Sequence, residues 1–300
     1  MNNTVYDSFQ DYHPLINFIY FTIVIGSSML FNHPIMQTIS LLSAVIYAIQ
    51  CEGKRAVLFS LKFGLPVILL TAFVNPAFSH EGVTRLLYLP TGNPLTLESI
   101  LYGFSAGFML AEILIWFSNF NRIITSDKFV YLFGRIIPAL SLVLSMTLRF
   151  LPKFKKQMKT VTEAQKCIGR DISMGNLLQR TKTAATILSI MVTWSLENAI
   201  ETADSMKSRG YGLKGRTAFS IYRFDERDQM MMLWFFFCGL YLFTGTIAGI
   251  FSFRYFPSIR WAEFSSLSFS FYLIYFLFCI TPVILNKVEE EKWNDIYSKM

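Results

Sequence analysis

Between Leu97 and Ser118 the chain runs for 22 residues with only two charged side chains, Glu98 and Glu112. A helix of that length rises about 33 Å at 1.5 Å per residue, enough to cross a ~30 Å hydrocarbon core. Five more apolar stretches fit the same reading, at about 15–31, 35–50, 57–74, 230–252 and 264–285. The second is short and needs local thinning of the bilayer or flanking side chains that snorkel. Asn32-His33-Pro34 breaks the chain between the first two, because Pro cannot continue a helix. An apolar share of 53% against a charged share of 16%, with 30 Phe, leaves too little charged surface for a soluble domain. The fold class is therefore an all-α integral membrane protein of about six spanning helices, with seven as the rival count.

Charge decides the rival. Phe129 to Leu151 and Ala184 to Trp194 are also apolar, but if both crossed, the segment between them would lie outside the cell with Lys153, Lys155, Lys156, Lys159, Lys166, Arg170, Arg180 and Lys182 in it. Basic residues collect on the cytoplasmic side, so this segment belongs inside. With six spans, 18 of the 27 Lys and Arg residues fall in one inner segment from Arg122 to Arg227, and both chain ends are cytoplasmic. The stretch 129–151, with Arg135 and Arg149 towards its ends and Pro138 within it, is then an apolar helix lying shallowly in the membrane or on protein. The resulting organisation is 1–118 for four spanning helices, 119–229 for a cytoplasmic module, 230–286 for the last spans and 287–300 for a cytoplasmic tail.

Most function classes find no support in the residues. The net charge of +7 suits a large inner face and not nucleic acid, since no exposed aromatics are interleaved with the basic residues. Cys51, Cys167, Cys238 and Cys279 show no CxxC spacing, and His13, His33 and His80 are scattered beside loops, so neither a disulfide, a metal site nor any cofactor is expected. The start of the chain has acidic residues and no Lys or Arg before the first apolar run, unlike a secretory signal. Without GxxxxGK[ST], GxSxG or HExxH, the chain is read as no enzyme, with any ATP hydrolysis left to partner chains. Lys62 and Glu112 sit at similar depths, about six residues from the inner ends of their spans, and an ion pair between them is geometrically allowed. Such a pair would be the coupling site of the alternative reading, a stand-alone secondary carrier driven by an ion gradient. Gly103, Gly107 and Ala111 form a small-residue ridge suited to close helix packing. Asn75, His80, Asn93 and Glu98 either line an outer vestibule or serve loop turns and a helix start.

The inner segment carries two amphipathic helices. In the first, Pro152 suits a first helical residue, Phe154, Met158, Val161 and Ile168 recur at near-helical spacing, and Gly169 suits a left-handed cap before Arg170. In the second, Leu196, Ala199, Ile200, Ala203 and Met206 make an apolar stripe opposite Glu197, Glu201 and Asp204, and the helix stops at Ser208-Arg209-Gly210. An arginine at the last turn of a helix is favoured by the dipole and offers a planar fork to carboxylates, so each tip is either a docking knob or simply a good helix C-terminal signal, and the occurrence of two in one basic segment favours docking.

At these residues the chain resembles a known family. Ser195 to Gly212, SLENAIETADSMKSRGYG, is similar to the second signature helix of the T component (EcfT/CbiQ-like) of energy-coupling factor (ECF) importers. Arg149-Phe150-Leu151-Pro152 followed by Glu163-Ala164-Gln165 resembles the first signature helix. Asn75 to His80, Gly92-Asn93-Pro94 and Glu98-Ser99 resemble the family's outer loop, and the likeness extends from about His13 to Tyr222. The first signature departs from the pattern: Ile168 stands where the family has arginine, Gly169 is kept and Arg170 follows it. The resemblance implies an ATP-driven importer in which two ABC ATPase subunits grip the helix ends Ser208, Arg209, Gly210 and Ile168, Gly169, Arg170. It implies a small substrate-binding membrane subunit, the S component, held on the apolar helix faces. The cargo is then a micronutrient, a vitamin or a transition metal ion, chosen by that subunit.

Overall fold

The computed structural model describes residues 7–88, 94–134, 137–171, 173–213, 222–261 and 265–299. Gly92, Asn93 and Arg135 lie outside them. The chain forms two compact units, residues 1–125 with 222–300, and residues 126–221.

The first unit is a helical bundle. After a short 3-10 turn at Ser8–Asp11 come α1 (Pro14–Leu30), α2 (Pro34–Glu52), α3 (Lys54–Phe59), a π turn (Ser60–Gly64) and α4 (Leu65–Phe78). Strands β1 (Arg85–Tyr88) and β2 (Pro94–Thr96) pair antiparallel ahead of α5 (Leu97–Ile123). After the second unit follow α9 (Glu226–Ile247), the two-residue strands β3 (Phe253–Arg254) and β4 (Arg260–Trp261), and α10 (Ser266–Lys299). Among the described residues five helical stretches are long and apolar enough to span: α2, α3 through α4, α5, α9 and α10. The shorter α1, 17 residues, is the sixth apolar helix.

Two His-Pro pairs start the first two helices in the same way. Pro takes the first helical turn, where no N–H is needed, and the preceding His accepts the next free N–H through Nδ1: Leu15 to His13 at 3.2 Å and Ile35 to His33 at 3.3 Å. These rings cap helices, and among the described residues no metal-binding group forms around them.

In a bilayer, helices associate through close packing and hydrogen bonds more than through burial from water. The ridge expected on α5 supplies the first. A Cβ added at Gly107 would lie 2.7 Å from Ile68 Cα, and one at Gly103 would lie 2.8 Å from the Thr71 carbonyl oxygen, so α4 and α5 touch backbone to backbone. Side-chain bonds supply the second. Trp116 Nε1 donates to Ser40 Oγ at 3.0 Å, Ser28 and Ser40 share a 2.9 Å bond, and Asn119 Nδ2 donates to the Ala44 carbonyl at 3.2 Å. Tyr20, Trp116, Phe235 and Phe278, all fully buried, fill the space between α1, α5, α9 and α10.

Contacts sort the helix ends onto two faces. On one, Tyr47 OH donates to Asp7 at 2.9 Å, the Phe9 N–H to Asn286 at 3.2 Å and the His13 N–H to Asp228 at 3.1 Å, while Glu52 meets Arg122 at 3.4 Å and Arg227 meets Glu289 at 3.7 Å. On the other, Val83 N–H donates to Pro257, His33 bonds Tyr272, and Phe31 packs on Phe251. The chain thus leaves this bundle after α5 and re-enters before α9 on the same face, where residues 7–13 and 286–289 also lie.

Several helices outrun their sequence boundaries. The second apolar stretch is a 19-residue helix, and the last continues from the apolar run through the charged tail to Lys299 as one helix.

The α4–α5 contact leads to a test. Gly107→Ala should lower the thermal unfolding temperature of the solubilised protein, because overpacking costs about 1–3 kcal/mol. Gly26→Ala, where an added Cβ meets nothing within 4 Å, should leave it unchanged or raise it.

Candidate functional site

The second unit holds α6 (Ser126–Gly134), α7 (Pro138–Cys167) and α8 (Leu177–Ser208). Two expectations about its helices need correction. Pro152 does not begin a helix; it lies inside α7, which runs 30 residues from Pro138 to Cys167. Proline there removes one backbone bond, to the Leu148 carbonyl, and its position is exposed, so that carbonyl has room for another donor. Likewise, the apolar stretch from Ala184 and the amphipathic stretch from Ser195 are one helix of 32 residues. Its start is fixed by a capping box in which the Asn176 side chain accepts the Gln179 N–H and the Gln179 side chain accepts the Asn176 N–H at 3.3 Å, while Asn176 also accepts the Leu177 N–H at 2.8 Å.

The two long helices meet at an aromatic and charged contact. Phe150 stacks on Trp194 with ring centroids 5.5 Å apart and 25° between planes, and Phe154 lies 6.5 Å from the same ring. Lys153 places its ammonium 5.7 Å from the Trp194 centroid and donates to Asn198 Oδ1 at 2.6 Å. One cation thus serves an indole face and an amide at once. Beside this contact lies a groove of about 630 Å³, lined by Met146, Thr147, Arg149, Phe150 and Lys153 from α7 and by Ser195, Asn198, Ala199, Thr202, Ala203 and Met206 from α8.

The stripe expected on α8 therefore divides. Ala199, Ala203 and Met206 line the groove, whereas Leu196 and Ile200 stand 62% and 65% exposed on the outer side. Of the α7 residues, Phe154 packs at the Trp194 contact, Val161 is half-buried and Met158 is exposed.

Both helices end in the same hydrogen-bonded turn. At α7 the Gly169 N–H donates to the Lys166 carbonyl at 3.0 Å and the Arg170 N–H to Gln165 at 2.9 Å. At α8 the Gly210 N–H donates to Lys207 at 3.0 Å and the Tyr211 N–H to Met206 at 3.0 Å. This is the Schellman pair of bonds, and it needs a left-handed residue just past each helix, which Gly169 (φ 79°) and Gly210 (φ 74°) supply. Arg209 is exposed, and among the described residues no carboxylate pairs with it. Ser208 turns its hydroxyl back to the Ser205 carbonyl at 2.9 Å.

Arg170 is placed differently. It lines a pocket of about 420 Å³ with Gly169, Asp171, Met174, Gly175, Gln179, Lys182, Thr183 and Thr186, in the turn that joins α7 to α8. Asp171 pairs with Lys166 at 3.4 Å and accepts the Ser173 N–H at 3.0 Å, and these bonds, the backbone one foremost, hold its carboxyl below the usual carboxylate range.

The structure does not bring Lys62 and Glu112 together. Lys62 is exposed on the π turn with its ammonium 5.7 Å from the ring centroid of its neighbour Phe63, while Glu112 is fully buried and, among the described residues, neither of its oxygens has a hydrogen-bond partner. The α5 helix also reaches Ile123, which sets Glu112 about 16 Å from its C-terminal end, further than expected. Of the residues expected at an outer vestibule, Glu98 accepts the Thr84 N–H at 3.1 Å and so ties the β1 side of the hairpin to α5. Nothing in the sequence pointed to that bond, nor to Asp7 as an anchor for the first turn; both join residues distant along the chain.

No family model matches the chain. Curated relatives named energy-coupling factor transporter transmembrane protein EcfT do match: that of Lactobacillus helveticus is 34% identical over 100 residues, 33% of this chain and 36% of the relative. That of Lactococcus lactis is 36% identical over 95 residues, 31% of this chain and 36% of the relative. The protein of Bacillus selenitireducens is 28% identical over 183 residues, 56% of this chain and 66% of the relative. These matches support an EcfT-like family. The match spans about a third of the length of the first two relatives. The multi-pass helical bundle, with five helical stretches among the described residues long and apolar enough to span, agrees with a transmembrane protein.

The two turns are open to measurement. Alanine at Gly169 or Gly210 must hold a positive φ, at about 1–2 kcal/mol, so exchange of the Arg170 or Tyr211 amide hydrogen should quicken by about 5- to 30-fold. Ser208→Ala, which leaves the backbone turn alone, should show no such change.

Proposed function

We propose that this chain is the energy-coupling transmembrane subunit of an ECF-type importer, a lever without catalytic residues of its own. The observation that carries the reading is the pair of alike helix ends: two long helices of one basic unit each stop in a Schellman turn, and one of them presents an exposed arginine with no ion pair among the described residues. Two alike ends fit a pair of ATPase subunits, which hydrolyse the ATP. The face on which the chain leaves and re-enters the bundle is then the cytoplasmic face of the cell membrane, because the segment between carries 18 Lys and Arg residues. Both chain ends share that face.

In this reading Ser208, Arg209 and Gly210 form one docking tip and Ile168 with Gly169 the other, while Arg170 turns into the pocket of its own loop. The exposed Leu196 and Ile200, with the groove lined by Ala199, Ala203 and Met206, receive the small S component in the bilayer, and the neighbouring Phe154, Met158 and Val161 extend that face. That subunit selects the cargo, a vitamin or a transition metal ion. Binding of ATP draws the ATPases together, shifts the tips and so re-orients the S component. The alternative, a secondary carrier driven by an ion gradient, is less well supported because Lys62 and Glu112 stand apart.

Co-purification with the ATPases tests the docking. Arg209→Glu turns attraction for an acidic groove into repulsion, and ATPase recovered with the tagged chain should fall at least about tenfold, the equivalent of 1.4 kcal/mol. Full recovery with this variant would remove the docking role.

A further inference from the structure

Three helices of the first unit bring hydroxyl groups to a carboxylate on a fourth. Glu112 of α5 is fully buried, and among the described residues neither of its oxygens has a hydrogen-bond partner. Ser28 of α1 and Ser40 of α2, both buried, stand beside it. Tyr275 and Cys279 of α10, equally buried, lie close enough to feel its charge. The two serine hydroxyls are 2.9 Å apart, and Ser40 accepts the Trp116 N–H at 3.0 Å from one turn further along α5. One turn beyond Ser40, the buried Ser43 hydroxyl also has no hydrogen-bond partner among the described residues.

No positive side chain answers this carboxylate. Helices α1, α2 and α4 contain no Lys, Arg or His, and Arg122, near the end of α5, pairs with Glu52. Lys62 is exposed on the π turn. The titratable groups packed around Glu112 and Trp116 are Tyr20, Tyr47, Tyr275 and Cys279, which bear no positive charge in any protonation state. Hydrogen bonds need direction, and the hydroxyls beside Glu112 are committed to each other and to Trp116. A hard cation needs only oxygen atoms around it, and a carboxylate with two hydroxyls supplies them.

We propose that Glu112, Ser28 and Ser40 form an intramembrane binding site for one sodium ion. Charge and donor chemistry select it. One positive charge cancels one carboxylate, whereas a divalent ion would leave an excess charge in hydrocarbon. Among the described residues no group of three His, Cys, Asp or Glu side chains exists to hold a transition metal. Potassium, being larger, fits close-set hydroxyls less well. The ion ties α1, α2 and α5 to one point with α10 beside them, which makes sodium a cohesive element of the bundle. This goes beyond the coupling reading and does not depend on it, since the second unit supplies none of these residues.

Sodium titration of the purified full chain in nanodiscs tests the site, with choline replacing sodium at constant ionic strength. The wild type should bind one radioactive sodium ion per chain, and its thermal unfolding temperature should rise with sodium by mass action. Glu112→Gln should abolish both effects, Ser28→Ala should weaken sodium binding by about tenfold, and Lys62→Gln should change neither. Absence of bound sodium in the wild type overturns the proposal, as does a rise in unfolding temperature that Glu112→Gln retains or that potassium reproduces in full. An infrared carbonyl band of a protonated carboxyl that persists in saturating sodium and vanishes in Glu112→Gln also overturns it, because a proton then cancels the charge. Where Glu112→Gln does not fold, judged by helix content, Ser28→Ala decides: unchanged sodium affinity overturns the proposal and a tenfold loss supports it.

Discussion

Hydrocarbon offers no hydrogen bonds, so a chain inside it must satisfy every backbone N–H and C=O for itself, and the structure is arranged around the places where that supply is interrupted. Each interruption has its own replacement. His13 and His33 accept the N–H groups their helices leave free, and Thr96 does so at the start of α5. Between α3 and α4 a π turn lets one helix bend without ending, and the exposed Lys62 leaves the bundle there. At the tips of α7 and α8 the last carbonyls are closed by N–H groups from beyond the glycines. At these two helices, which are outside the candidate spans, the closed carbonyls give each helix a well-defined end, and a well-defined end is what a partner can hold.

Side chains obey the same rule less strictly. Polar groups in the bundle mostly find each other, as Ser28, Ser40 and Trp116 do, and Ser105 with Asn32 and Gln37. Glu112 is among those that do not: it is buried beside Ser28 and Ser40, yet among the described residues neither of its carboxylate oxygens has a hydrogen-bond partner, and the same holds for the Ser43 hydroxyl. An ionised carboxylate at that depth costs several kcal/mol unless something compensates it. Lys62 does not, because the helix carrying it turns that side chain outward.

Much of this was legible in the residues, for local reasons. Runs of apolar residues fix spanning helices whatever their partners are, Gly103, Gly107 and Ala111 at four-residue spacing mark a close contact, and Gly169 and Gly210 announce left-handed caps. What could not be read depended on distance along the chain. Asp7 reaching Tyr47, Phe9 reaching Asn286 and Glu98 reaching Thr84 each require the fold to be assembled first. Pro152 misled because proline at a helix start is a local rule, while its tolerance within α7 depends on where that helix runs. The supposed pair of Lys62 and Glu112 failed for a related reason. Depth follows from sequence, but which way a side chain faces depends on the π turn.

Continuity of α7 and α8 matters more to the proposed mechanism than any one side chain. From Phe150 to Ile168 is about 27 Å of helix, and from Trp194 to Arg209 about 22 Å. The two arms extend from a common contact, the stack of Phe150 on Trp194, so a rotation of about 10° there displaces the tips by about 4 to 5 Å. Such transmission works only if neither arm frays. A break at Pro152 would detach the α7 tip from its pivot, and a fresh helix start at Ser195 would do the same to α8. The Lys153 bridge across Trp194 and Asn198 sits where bending would begin, on the tip side of the stack. There it stiffens the crossing and leaves the ends free to be gripped.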